Sequence, residues 1–304
     1  MPVRPARGSN GSWGASKPRL VSVILPVRNE EAHLVQQLRA LAGQTYAGPW
    51  ELVVVDNGST DASMEIVEAW RDRFPRLRVV DASAKPGLNY ARNRGMAGAR
   101  GDLLAFGDGD DEAAPQWLDS LAAAAAGADL VGGPLDDVAL NDGVSEAWIP
   151  RERLTELPMA YDFLPYVPGG NCAVWARLAD ELRWNEAYVV GAADVEFSWR
   201  AQFAGARLGF ASGAVMRRRY PSSLGVLARK YFGYGLAGPM VYCEFRAAGM
   251  PRSALGEALR SWTWLLRTSP RAARDREFRG RWVRIAAKRS GRAVGSLRQR
   301  TLYL

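Results

Sequence analysis

The stretch LLAFGDGDDEAAP, residues 103 to 115, runs an apolar segment straight into four carboxylates, Asp108, Asp110, Asp111 and Glu112, with only Gly109 to separate them. Like charges about 4 Å apart repel by about 1 kcal/mol in water and about 4 kcal/mol at an effective dielectric near 20. Either water repays that crowding in an open turn, where Asp and Gly are common, or a ligand does. The sequence holds one histidine, His33, just after RNEEA, where a solvated helix position suits it. Acid–base chemistry in this chain therefore falls to carboxylates, lysines or tyrosines. Cys172 and Cys243 stand in no CxxC or Cys/His spacing, which gives neither a zinc site nor a disulfide framework and leaves them as small buried apolar residues.

The elements that must position these groups alternate along the chain. VSVILP (21–26) is a short apolar run rich in β-branched residues, and in EEAHLVQQLRALAG the residues Leu34, Leu38 and Leu41 recur at helical spacing. ELVVVD (51–56) and DASMEIVEAWRDRF repeat the pair, followed by a weaker strand at 77–82, a helix at about 88–99 and a strand at 102–106. Continuous apolar strands alternating with helices predict an α/β fold with a mostly parallel sheet covered on both faces. Ligands of such sheets bind outside the carboxyl ends of the strands. Three strand ends carry polar groups to that one rim: Pro26, Arg28, Asn29 and Glu30; Asp56, Asn57, Gly58 and Ser59; and Asp108. Ser59 or Thr60 would also serve as a helix N-cap. Beyond residue 129 the pattern loosens into long loops through PMAYDFLPYVPGG, then a strand at 171–176 and a helix entered at Asp194 and left at Gly205, a half that reads as the acceptor-binding side.

VSVILPVRNEEAHL, ELVVVDNGSTDAS, KPGLNYARNRGMAGARGDLLAFGDGDD and GAADVEFSWRAQFAG, taken together and in this order, resemble the inverting glycosyltransferases of family 2, over about residues 20 to 235. The resemblance implies the nucleotide-sugar-binding fold called GT-A, Rossmann-like and flanked by helices, with a helical appendage at the C-terminus. It implies that Pro26, Val27, Arg28, Asn29 and Glu30 line the nucleotide pocket, that Asp56 reads the base beside Asn57, and that Lys85 and Arg92 lie beside the donor. Arg92 would pair with phosphate or else form a surface ion pair. DGD, residues 108 to 110, matches the family's DxD motif, so that Mg²⁺ or Mn²⁺ and the diphosphate it bridges would repay the crowding. Asp110 is then the expected metal ligand, Asp108 a second ligand near the ribose or a metal water, and Gly109 a close approach of the backbone to the donor. Asp111 and Glu112 would form the solvated edge. Asp194 takes the position of the catalytic base, with helix capping as its structural alternative. Glu196, two residues on, points elsewhere on the helix.

Two departures from the family pattern stand out. Ala193 replaces the first of two expected acidic residues. In VMRRRYPSS the arginines 217–219 occupy the region where many members place a histidine, and an arginine there could contact the diphosphate. The expected activity is transfer of a sugar from a nucleoside diphosphate sugar to a hydroxyl on a glycan, a lipid-linked or a small-molecule acceptor, in cell-envelope or polysaccharide synthesis. Two other readings stay open: a sugar-nucleotide-binding scaffold without catalysis, and a nucleotidyltransferase, although LPVRNEE lacks the Gly-rich phosphate loop the latter needs.

Charge divides the chain. The 304 residues carry a net +8, but residues 255–304 hold thirteen Lys and Arg against Glu257, Asp275 and Glu277, a surplus of ten, which leaves the first 254 residues at −2. In the tail, Leu255, Leu259, Trp262 and Leu266 share one helical face among arginines, a pattern that suits either an anionic membrane surface or a helix docked on the catalytic domain with a solvated basic face. No nucleic-acid-binding fold is recognisable. No run of about 18 apolar residues and no signal-peptide core occurs, so the expected setting is cytoplasmic and peripheral to the inner face of the cell membrane. The expected organisation is a disordered segment 1–18, a catalytic domain 19–220 and a basic helical region 221–304.

Overall fold

In the computed structural model, which describes residues 13–141, 143–149 and 154–304, the apolar runs become the middle of a seven-stranded sheet. β1 (Val21–Val27), buried along its whole length, leads through α1 (Leu34–Ala42) to β2 (Trp50–Asp56), then through α2 (Ser63–Ala69) to β3 (Leu77–Asp81). α3 (Leu88–Gly98) returns the chain to β4 (Leu103–Gly107), which lies on the other side of β1. These four strands run parallel, as continuous apolar runs covered on both faces should.

The second half begins with β5 (Glu112–Ala113), α4 (Trp117–Ala124), β6 (Leu130–Gly132), β7 (Leu135–Asp136), α5 (Gly143–Trp148), β8 (Met159–Ala160) and β9 (Leu164–Pro165). It continues with β10 (Asn171–Trp175), α6 (Ala176–Leu182), α7 (Ala193–Phe203), β11 (Leu208–Phe210) and β12 (Met216–Arg217). The large sheet has the order β11-β6-β10-β4-β1-β2-β3, in which only β10 runs against its neighbours. Strand alternation sends Val23 and Leu25 to the face covered by α1 and α4, and Ile24 with Phe106 to the face covered by α3, α6 and α7. A three-layer α/β/α domain results.

Three long helices follow: α8 (Leu224–Phe245), α9 (Leu255–Arg274) and α10 (Arg276–Arg298). Ala237, Val241 and Phe245 of α8 share a core with Trp199 of α7 and with Tyr303 near the C-terminus. α10 crosses α8 so closely that a Cβ at Gly235 would stand 2.9 Å from the Gly291 Cα. The helical region is thus built onto the sheet domain. The two faces of α9 differ. Ala258, Leu265 and Ala272 are buried, whereas Leu259 and Leu266 are 69 % and 75 % exposed, with Leu255 and Trp262 on the same open stripe.

Of the segment 1–18 expected to be disordered, residues 1–12 lie outside the described residues. Trp13 is placed: its N–H donates to Asp129 at 3.2 Å and Arg177 lies over its ring.

Candidate active site

β4 ends at Gly107, and the acidic motif follows where the sheet stops. Gln37, fully buried on α1, donates from Nε2 to the Asp108 carbonyl at 2.9 Å and accepts the Ala113 N–H at 3.0 Å, so one side chain holds the motif's backbone at both ends. Gly109 packs against β1, where an added Cβ would lie 3.4 Å from the Pro26 carbonyl oxygen and from Glu30 Cγ, and 3.5 Å from Val27. The first strand end and the acidic motif are therefore one surface.

The crowding is not relieved by water alone. Burial, then Asp110, Asp108 and Asp61, push the Glu30 carboxyl up to about 7. Asp110 is raised by burial and by Asp108, and Asp111 is raised well above the usual carboxylate range by burial, Asp110 and Asp108. The expectation that Asp111 and Glu112 form a solvated edge fails. Asp111 is 4 % exposed and accepts the Arg219 N–H at 3.0 Å, while Glu112 sits on β5 in an ion pair with Arg217 of the adjoining β12. A recessed set of hard oxygen donors with unrepaid charge fits a divalent cation. Among the described residues no three Asp, Glu, His or Cys side chains converge into a complete cage.

The β1 and β2 ends are knitted to each other. Asn29, at a left-handed φ of 57°, accepts the Thr60 N–H at 2.8 Å, and its own N–H donates to Ser59 Oγ at 3.3 Å. Ser59 and Thr60 are therefore not helix caps: the α2 cap position is Ala62, without a side-chain bond. Asp56 accepts the Ser59 N–H at 2.8 Å. Asn57 spends its carboxamide on the chain, donating to the Ala82 and Lys85 carbonyls at 2.6 and 2.9 Å and accepting the Gly87 N–H at 2.8 Å. It fixes the loop that carries Lys85, which pairs with Glu186 at 2.5 Å. Arg28 stands exposed on the same rim.

On the other side of the acidic motif a cavity of about 620 Å³ opens between the sheet end and the long helices. Asp108, Arg92 and Asp194 all line it. Arg92 is 3 % exposed, so it is no surface ion pair: Nη2 reaches Asp108 at 3.3 Å and the guanidinium lies 4.6 Å over the Trp184 ring. Asp194 is not the helix cap. That place falls to Ala192, a non-glycine at φ 57°, a strained conformation of the kind found at functional sites. Asp194 stands in the first turn, accepting the Gly169 N–H at 3.4 Å. Burial raises its pKa, and Arg92 works against that rise. Glu196 points away from this site, into Arg200 at 2.5 Å.

Gly169 and Gly170 make the approach possible. A Cβ at Gly169 would stand 2.9 Å from Arg92 and 3.3 Å from Asp194 Cβ, and one at Gly170 would collide with the Asp108 carboxylate. Of the three arginines 217–219, two are committed elsewhere: Arg217 to Glu112, and Arg218 to Asp137 through bonds of 2.8 and 2.9 Å. Arg219 lies against the acidic motif, its Nε donating to the Asp110 carbonyl at 3.1 Å. His33, distant in sequence, is within electrostatic reach of both Asp110 and Arg219, and burial lowers its pKa.

The sequence matches the family described as Glycosyl transferase family 2 over residues 22–182. Glycosyltransferase AglE of Haloferax volcanii is 30 % identical over 194 residues, 63 % of this chain and 64 % of that protein. Validoxylamine A glucosyltransferase of Streptomyces hygroscopicus subsp. limoneus is 39 % identical over 109 residues, 36 % of this chain and 24 % of that one. The chain spans between 36 % and 64 % of the length of the first curated relatives it matches. Among solved structures, the mannosyltransferase PcManGT from Pyrobaculum calidifontis, in complex with GDP-Man and Mn²⁺, superposes with a TM-score of 0.56 at 22 % identity, covering 92 % of this chain and 87 % of that one. S. aureus TarS 1–349 in complex with UDP-GlcNAc gives a TM-score of 0.52 at 20 % identity, with 93 % of each chain covered. These likenesses show the GT-A fold.

Proposed function

The chain belongs to glycosyl transferase family 2 and is a glycosyltransferase, and on that premise we propose that it moves a sugar from a nucleoside diphosphate sugar to a hydroxyl acceptor with inversion at the anomeric carbon. The observation that carries this reading is the meeting of Asp194, Arg92 and Asp108 in one cavity, on the far side of the acidic motif from the polar rim of β1 and β2. The rim of Pro26 to Glu30 with Asp56 takes the nucleotide, and Asn57 holds the loop beside it. Asp110 and Asp108 hold a divalent cation, Mg²⁺ or Mn²⁺, which when bound supplies positive charge to the departing diphosphate. Arg92 orients Asp108 and offers its remaining N–H groups to the donor phosphates.

Asp194 is the general base. The acceptor oxygen forms its bond to the anomeric carbon as its proton passes to the Asp194 carboxylate. The bond to the diphosphate breaks on the opposite face, and its electron pair leaves with the nucleotide. A carboxylate suits the task because burial raises its pKa above the ordinary carboxylate value, which makes it a stronger proton acceptor. Ala193 leaves the neighbouring wall of the cavity apolar, so the acceptor is held by other groups. A panel of nucleoside diphosphate sugars tests the reading: metal-dependent release of nucleoside diphosphate from one or a few donors is expected, and no turnover of any donor with Mg²⁺ or Mn²⁺ would contradict it.

The proposal extends to where the enzyme works. No helix among the described residues is long and apolar enough to cross a membrane. The open stripe of Leu255, Leu259, Trp262 and Leu266 on α9 is flanked by the exposed Arg260, Arg267, Arg271 and Arg274. Apolar residues beside cations match an anionic lipid surface, so α9 lies on the inner face of the cell membrane, where cell-envelope glycans are assembled. The catalytic unit spans residues 19–220, and the helical region 221–304 both docks on it and presents α9.

A further inference from the structure

Of the cations that line the cavity, Arg92 pairs with Asp108 and Arg218 with Asp137, and Lys230, without an ion pair among the described residues, lies within electrostatic reach of Asp110. Lys288 and Arg292, one turn apart on α10, line the same cavity, and among the described residues neither forms an ion pair. Arg292 reaches the Leu304 carbonyl at 3.4 Å and lies over the Tyr303 ring, but its Nε finds no hydrogen-bond partner. Lys288 is exposed and Arg292 half-buried, with Arg284 and Arg289 adding positive charge from the same helix. These are not side chains of a loose tail. α10 is pinned where Gly291 meets the Phe232 backbone of α8, so the two cations are held at the cavity wall by helix packing.

Two like charges at this spacing repel, and the Nε of the half-buried Arg292 is shut from water without a partner, which is costly. The imbalance mirrors that of the acidic motif, with opposite sign, in the same cavity. Tyr161 lies within electrostatic reach of both Arg292 and Asp194, so the cationic pair and the proposed base serve one space. We propose that the acceptor carries a phosphate group, which seats between Lys288 and Arg292 while its reacting hydroxyl reaches Asp194. The proposal rests on the glycosyltransferase reading above. An ammonium and a forked guanidinium together match a phosphate's several oxygens, and the donor's own diphosphate would be served by Arg92 and by the divalent cation that Asp108 and Asp110 would hold. Phosphate on a lipid and phosphate on a soluble acceptor share this chemistry.

Titration of the full chain with methyl phosphate and with octyl phosphate, followed by ³¹P NMR in excess chelator so that no cation serves the acidic motif, tests the site. Saturable binding is expected, weakened about tenfold or more in the Lys288→Gln/Arg292→Gln double variant. Mn²⁺-dependent affinity for a nucleoside diphosphate should stay within about twofold of wild type. Equal affinity for both probes supports a soluble phosphorylated acceptor, and much tighter binding of octyl phosphate supports a lipid-linked one. Should circular dichroism show the double variant unfolded, Lys288→Gln alone carries the test. Absence of saturable binding to the wild type, unchanged affinity in the folded variants, or parallel loss of nucleotide binding would overturn the proposal. Because this titration involves neither donor nor metal, its failure is separate from a failure to find sugar transfer.

Discussion

The Arg92 guanidinium and the Asp108 carboxylate meet at 3.3 Å, the arginine 3 % exposed and the carboxylate one-third exposed, on the wall of a cavity they share with Asp194. Arg92 faces two carboxylates to which the proposed mechanism gives separate tasks. It steadies Asp108 by direct contact, and across the cavity it restrains the rise in the Asp194 pKa.

Replacing Arg92 by Met should therefore act twice. Breaking a buried ion pair leaves an uncompensated charge, and with Asp108 partly solvated the loss should be about 2 kcal/mol, below the usual range for fully buried pairs. The acid limb of the transfer rate should also move to higher pH, because Asp194 loses the cation that holds its proton affinity down. Thermal unfolding and a pH–rate profile read the two effects, and an acid limb that stays in place would separate Arg92 from Asp194.

The crowded carboxylates make stability depend on pH. Glu30 goes from an ordinary 4.5 to about 7 in the folded chain, so the folded state binds more protons between those values. That contribution is fully present below about 4.5 and is lost as pH rises through about 7, a change on the order of 3 kcal/mol at most. Melting temperature of the metal-free protein should fall between pH 5 and about 8, and saturating Mn²⁺ should flatten the slope. A metal-free melting temperature that climbs over this interval would contradict the account.

Asp110→Asn should remove most of the Mn²⁺ dependence of nucleoside diphosphate binding, since an amide is a poorer ligand than a carboxylate for a hard cation. Calorimetry with and without the metal measures it. Unchanged metal-dependent affinity would take Asp110 out of the site.

Leu259→Glu combined with Leu266→Glu should release the protein from vesicles containing anionic lipid. Both residues are open to solvent, so folding should be untouched. Truncation of the tail is a poorer test, because α10 packs on α8 and lines the cavity. Flotation of the double variant at wild-type levels would end the membrane reading of α9.

The parallel sheet was legible because its strands are locally apolar and its helices locally periodic, and the strand-end rule pointed from there to the rim. What the sequence did not disclose depends on contacts between distant segments. Gln37 reads as one polar residue on an amphipathic helix, yet it holds the acidic motif from 71 residues away. Asp111 reads as one more carboxylate in a solvated turn, yet it is buried and accepts the backbone N–H of Arg219, 108 residues on. Gly169 and Gly170 read as the end of a long loop, although their lack of side chains is what admits Arg92, Asp108 and Asp194 to one cavity. Lys288 and Arg292 were part of a basic tail until the close crossing of α8 and α10 placed them against the cavity.

The central claim is that Asp194 takes the acceptor's proton. Asp194→Asn keeps the side chain's shape, its acceptor for the Gly169 N–H and its place in the first turn of α7. The decisive measurement is the single-turnover transfer rate of this variant beside its metal-dependent affinity for the donor nucleotide. Transfer should fall by about 10²- to 10⁴-fold with nucleotide affinity near wild type. Transfer at the wild-type rate would contradict the account, and so would a matching loss of nucleotide binding.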